Sequence, residues 1–159
     1  LEFRRVLFRS YATEVFEHLS SSIKEGGGFI TIGSKWSFID SAGPVTPYSV
    51  AKNALRGYTI SLADTFTKIR CSHYAVPTMP TKLLKKAEQK LIELGEITEN
   101  FSDDQDKMCS PNDVGSILVK HTLQDNSSGK AFYINRKLEV IEIPNNSNSV
   151  LVELFNEGK

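Results

Sequence analysis

The chain has 159 residues, 19 basic and 19 acidic side chains, and 40% hydrophobic residues. That length suits one domain, the even charge leaves no basic stripe of the kind a nucleic-acid binder uses, and no apolar run is long enough to span a bilayer. Two cysteines, Cys71 and Cys109, give no disulfide framework and suit a reducing, cytoplasmic compartment.

Residues 1–10, LEFRRVLFRS, back-translate into a string similar to the end of a common sequencing adapter. The alternative is an arginine-rich leader. We read them as an artefact, not native chain, and set them aside as one does a fusion scar. The remainder carries 16 basic and 18 acidic residues, and the true chain is expected to begin upstream.

From Tyr11 to Lys24 the pattern is helical, with Val15, Phe16, Leu19 and Ile23 on one face. Gly26-Gly27-Gly28 ends it. These glycines lie between a helix and a strand, whereas a dinucleotide-binding run follows a strand and opens a helix. Phe29 to Gly33 reads as a strand apolar enough to be buried on both faces, and Ser34 terminates it. Lys35 to Thr46 reads as a loop whose Trp36, Phe38 and Ile39 either form a substrate wall or pack beneath it. Pro47 suits a first helical turn. The helix then runs to about Thr67, with Tyr48, Ala51, Leu55, Tyr58, Leu62 and Phe66 at spacings of three and four.

Further on, Ile69 to Val76 reads as a strand, with Ile69, Cys71, His73 and Ala75 alternating against Arg70, Ser72 and Tyr74. Thr81 to Gly95 is amphipathic: Leu83, Leu84, Ala87, Leu91, Ile92 and Leu94 oppose lysines and Glu88. Residues 96–107 are acidic, but their spacing lacks the glycine and terminal glutamate of a calcium loop. Ser110-Pro111 has the form of an N-cap followed by a first-turn proline, and Val114, Ile117, Leu118 and His121 continue one helical face. A turn at 126–129 leads to a strand over Ala131 to Ile134. Residues 138–143 add a short strand or lie across the sheet, and 144–159 form a tail. His18, His73 and His121 have no metal-ligand spacing and read as surface or satisfied core residues.

One constellation carries chemistry. Residues four apart on a helix share a face, so Tyr48 and Lys52 point to one place, with the strand-end hydroxyl of Ser34 beside them. A free phenol has a pKa of about 10, and a cation within about 4–6 Å lowers such a value. Lys52 is placed to do so, and Ser34 to hydrogen-bond a substrate oxygen. Ser37 is the reserve serine. The trio is suited to moving a proton on and off an alcohol or ketone oxygen.

These residues resemble the short-chain dehydrogenase/reductase family, whose signature is a strand ending in serine, a loop, and Tyr-x-x-x-Lys on a helix. Here it reads Ile32-Gly33-Ser34 and Tyr48-Ser-Val-Ala-Lys52, followed by Ala54-Leu55-Arg56-Gly57 and Ala75-Val76-Pro77. The resemblance covers about Tyr11 to Ile143. It implies an α/β fold, the C-terminal half of a doubly wound parallel-sheet Rossmann domain, with the glycine-rich phosphate loop in a missing first half. It implies NAD or NADP as cofactor and a small secondary alcohol or ketone as substrate. Ser34, Tyr48 and Lys52 are its catalytic residues, and Tyr48, Lys52, Pro77 and Thr81 its cofactor contacts. Thr78 stands where the family has glycine, and Thr81 comes one position early. The family's catalytic asparagine has no match, its Asp-Gly-Gly ending is replaced by Asn135-Arg136-Lys137, a lid is expected over 81–95, and a homodimer or homotetramer is implied. The competing expectation is a non-catalytic dinucleotide-fold binding or regulatory protein.

Overall fold

The computed structural model describes residues 12–39, 46–98 and 108–144. Helix α1 covers 12–20. It is followed by β1 (Gly28–Ser34), a 3-10 turn (Lys35–Ser37), α2 (Thr46–Thr65), β2 (Arg70–Val76), α3 (Lys82–Glu93), α4 (Pro111–Gln124), β3 (Lys130–Ile134) and β4 (Val140–Ile143). The strands form one sheet in the order β1-β2-β3-β4. β1, β2 and β3 are parallel, and β4 runs antiparallel to β3. The fold is therefore the expected α/β arrangement around a mainly parallel sheet.

The alternation of side chains along each strand divides the core into two faces. Phe16 of α1 and Leu62 of α2 pack with Ile69 and Cys71 on one face. Farther along that face, Phe38, Ala75, Ala131, Tyr133 and Ile143 continue the core. The opposite face buries Tyr74, Phe132 and Ile134 against Val114 of α4. Tyr74 stacks on Phe132, ring centroids 4.9 Å apart, and its hydroxyl meets His121 Nδ1 at 2.8 Å.

Local chemistry sets the element ends. Ser110 Oγ accepts from Asp113 N at 3.1 Å, with Pro111 at the first helical position, as the Ser-Pro pair predicts. Thr81 Oγ1 accepts from Leu84 N at 3.2 Å and caps α3. Arg70 holds three carbonyls together: Nε donates to Gly26 O, and Nη1 to Thr122 O and Asp125 O. It thus ties the entry of β1 to the end of α4.

Three expectations need correction. β1 is not buried on both faces, because Ile32 is 44% exposed, and among the described residues β1 pairs only with β2. In α1 the predicted apolar face is incomplete, since Phe16 is buried but Leu19 is exposed. In α3 the inward line is Leu84, Glu88 and Leu91, with Glu88 buried and Leu83 and Leu94 exposed. The expected apolar stripe there faces largely outward. The acidic stretch at 99–107, Tyr11, the tail from 145 and the first ten residues lie outside the described residues.

Candidate active site

Ser34 ends β1 at φ −145°, ψ 170°, and caps the turn that follows. Its Oγ accepts from Trp36 N at 3.4 Å, while its own N–H donates to Ser37 Oγ at 3.2 Å. This reciprocal pair is a capping box, and it fixes where the strand stops. Ser37 is fully buried and Ser34 only partly so. Of the two serines, Ser34 is the more accessible, and Ser37 supports its backbone. Phe38 packs into the core rather than forming a substrate wall.

Helix α2 clamps this turn from the side. Ser49 Oγ donates to Ile39 O at 2.8 Å and to Trp36 O at 3.2 Å, and Asn53 Nδ2 donates to Trp36 O at 3.0 Å. Ser49 and Asn53 are positioning residues that the sequence reading missed. Their signal was present: two polar residues four apart, each directly after a member of the Tyr48/Lys52 pair.

One turn of α2 brings Tyr48 and Lys52 to the same spot. The Ser34 side chain lies close enough to the Tyr48 phenol to favour its ionised form. Lys52 Nζ stands 5.6 Å from the Tyr48 ring centroid and donates to Ile32 O at 3.1 Å. The three side chains read from the sequence are therefore assembled at one end of β1, with Tyr48 46% exposed and open to a ligand.

The electrostatics depart from expectation. Burial pushes the Tyr48 phenol above its usual value, and the Ser34 hydrogen bond offsets this only in part. Burial pushes Lys52 below its own. The expected net lowering of the phenol by Lys52 is not seen: desolvation dominates, and the ammonium is directed at the Ile32 carbonyl.

Ser34 lies opposite Val76 in the β1–β2 register, so Pro77 follows at the same carboxyl end of the sheet. Pro77 is buried and Thr78 exposed. Thr81 stands four residues beyond Pro77 as the α3 cap. Its cap bond uses a lone pair and leaves its hydroxyl proton for another acceptor. Beneath the site lies a further residue that sequence reasoning passed over as a satisfied core histidine. His73 is fully buried, and its Nδ1 meets Thr31 Oγ1 at 2.8 Å. Its Nε2 is buried without a partner.

No protein-family model and no curated protein matches the chain. Solved structures do. The ligand-free aldohexose dehydrogenase of Thermoplasma acidophilum superposes with a TM-score of 0.52 at 21% identity, over 70% of this chain and 47% of that one. A short-chain dehydrogenase of Mycobacterium avium gives 0.50 at 16% identity, over 96% of this chain and 51% of that one. The chain has the short-chain dehydrogenase fold. It spans about half the length of the short-chain dehydrogenases it matches, and its parallel β1-β2-β3 order is the part of a doubly wound sheet that the serine-tyrosine-lysine signature implied.

Proposed function

We propose that this chain is the substrate-facing half of an NAD(P)-dependent short-chain dehydrogenase/reductase that interconverts a secondary alcohol and a ketone. The observation that carries this reading is the meeting of Tyr48, Ser34 and Lys52 at the carboxyl end of β1, where ligands bind in open parallel sheets. The residues present fit the nicotinamide end of the cofactor: Lys52, the turn after buried Pro77 and the Thr81 hydroxyl would hold it. When bound, NAD or NADP supplies or accepts the hydride. The rest falls to the chain. In ketone reduction Ser34 donates a hydrogen bond to the carbonyl oxygen and Tyr48 delivers its proton there. Lys52 then stabilises the phenolate left behind. Alcohol oxidation runs the same steps in reverse. A phenol held above its usual pKa is protonated throughout the neutral range, which suits the acid role in reduction. Activity belongs in this reading to a longer, cytoplasmic, homo-oligomeric protein whose other half binds the phosphates.

The test is Tyr48→Phe in the full-length protein, assayed for NAD(P)H oxidation with a panel of ketones. The expected result is a loss of at least about 100-fold in kcat, the lower end of general acid–base contributions, with cofactor affinity kept. A wild-type protein inert toward the whole panel would favour the non-catalytic reading.

A further inference from the structure

His73 carries the inference. Thr59 Oγ1 lies 2.7 Å from Leu55 O, and its proton has that carbonyl as acceptor. In that arrangement Thr59 accepts from Thr31, whose Oγ1 is 2.6 Å away. Thr31 has donated its only proton, so it accepts from His73 Nδ1 at 2.8 Å. With the donors in this order the imidazole is the Nδ1–H tautomer and Nε2 holds a lone pair; the reverse order, with Thr59 donating to Thr31 and the proton on Nε2, is what the experiment below distinguishes. Burial and the charges of Lys52 and Arg56 keep the ring neutral, with its pKa pushed down to about 3.

That lone pair faces Gly33 and Ser37. A Cβ at Gly33 would stand 2.2 Å from His73 Nε2 and 2.3 Å from Ser37 Oγ, so the two atoms flank the same missing side chain. Ser37 Oγ already accepts from Ser34 N at 3.2 Å. A buried acceptor without a partner is costly; Ser37 Oγ is not bonded to it in this structure, but it flanks the same space and carries a proton able to satisfy it.

We propose that His73 is a positioning residue for Ser34, acting through a hydrogen bond from Ser37 Oγ–H to His73 Nε2. Every donor then points one way: from Ser34 N–H to Ser37, to His73, to Thr31, to Thr59, and to the carbonyl of Leu55 on α2. The file of hydrogen bonds starts at the serine and ends on the helix that carries Tyr48 and Lys52, so it sets the distance between the halves of the site. Hydrogen bonds aligned head to tail reinforce one another. Gly33 is required because any side chain would break the file. The placement stands on geometry; its consequence for turnover rests on the dehydrogenase reading.

The experiment uses the full-length protein labelled with 15N at histidine, with His73 assigned by its loss in His73→Gln. Nδ1 should carry the proton, and the Nε2 resonance should move toward that of a free imine nitrogen in Ser37→Ala, with the other histidines unmoved. An Nε2–H tautomer, or an Nε2 resonance indifferent to Ser37→Ala in a folded protein, overturns the proposal. His73→Asn keeps a donor for Thr31 but loses the Nε2 acceptor, whereas His73→Gln keeps an acceptor at the Nε2 position. The Ser34 amide should exchange with solvent about tenfold faster in His73→Asn, the worth of one hydrogen bond, and change little in His73→Gln. Equal exchange in both variants would reduce His73 to packing. In turnover, His73→Asn should lower kcat with KM for NAD(P)H unchanged. If the protein is inert while the nitrogen and exchange results hold, the dehydrogenase reading fails and the positioning role stands.

Discussion

His73 is neutral because ionising it would leave a charge under the sheet, beside Lys52 and Arg56. Its folded pKa of about 3 lies below the ordinary value of 6.5. The sign follows from linkage: the unfolded chain binds the proton that the native one refuses. Stability from this group is complete above about pH 6.5 and declines as pH falls toward 3, at up to about 1.4 kcal/mol per pH unit. Urea unfolding at pH 7, 6, 5 and 4 should show that slope in the wild type and a shallower one in His73→Gln. Gly33 makes a second prediction. Alanine there would collide with His73 and Ser37, and overpacking of this kind costs about 1–3 kcal/mol. Gly33→Ala should lower the urea midpoint accordingly and lose the Ser34–Ser37 contact. None of this was legible in the sequence. An alternating His73 looks like any core position, and its meaning depends on Thr31 and Thr59, residues 42 and 14 positions away on two other elements.

Helix and strand placement was more readable, because caps and periodicity are local. Ser110-Pro111 announced α4, and Tyr48 to Phe66 announced α2. The facing of α3 was misread: its apolar residues outnumber the positions available inside, and Glu88 is taken inward between Leu84 and Leu91. The β3–β4 hairpin was half legible. Asn135 Oδ1 accepts from Lys137 N and Glu139 N, both at 2.9 Å, while Leu138 adopts φ 63°. An asparagine-built turn stands where the resemblance called for Asp-Gly-Gly. Arg70 was read only as one of the polar alternates of β2, yet it joins two elements. Arg70→Met should cost about 2–4 kcal/mol, since hydrogen bonds from charged donors are worth about 1.5–3 kcal/mol each and methionine recovers part of the packing. Hydrogen exchange should quicken first at the end of α4, near Thr122 and Asp125.

For the molecule as a whole, the sheet's first strand decides what the chain can do alone. Gly27 O accepts from Arg70 N, so by alternation the carbonyls of 27, 29, 31 and 33 face β2 and that of Ile32 faces outward. On the dehydrogenase reading, in which this chain's residues hold only the nicotinamide end of the cofactor, residues 11–159 by themselves should show no calorimetric binding of NAD(H); tight binding would refute this. The outward carbonyl has a further effect through the lysine bonded to it. A strand pairing with this edge of β1 would compete with the Lys52 ammonium for the Ile32 oxygen, and Nζ stands 5.6 Å from the Tyr48 ring centroid. On the dehydrogenase reading, pairing of that edge would release the ammonium toward the phenol. Tyr48 in the completed protein should ionise at lower pH than Tyr48 in the isolated chain, measurable as the ultraviolet titration difference between each protein and its Tyr48→Phe variant. On the dehydrogenase reading, the phenol therefore holds its proton more tightly while that edge of β1 stays unpaired.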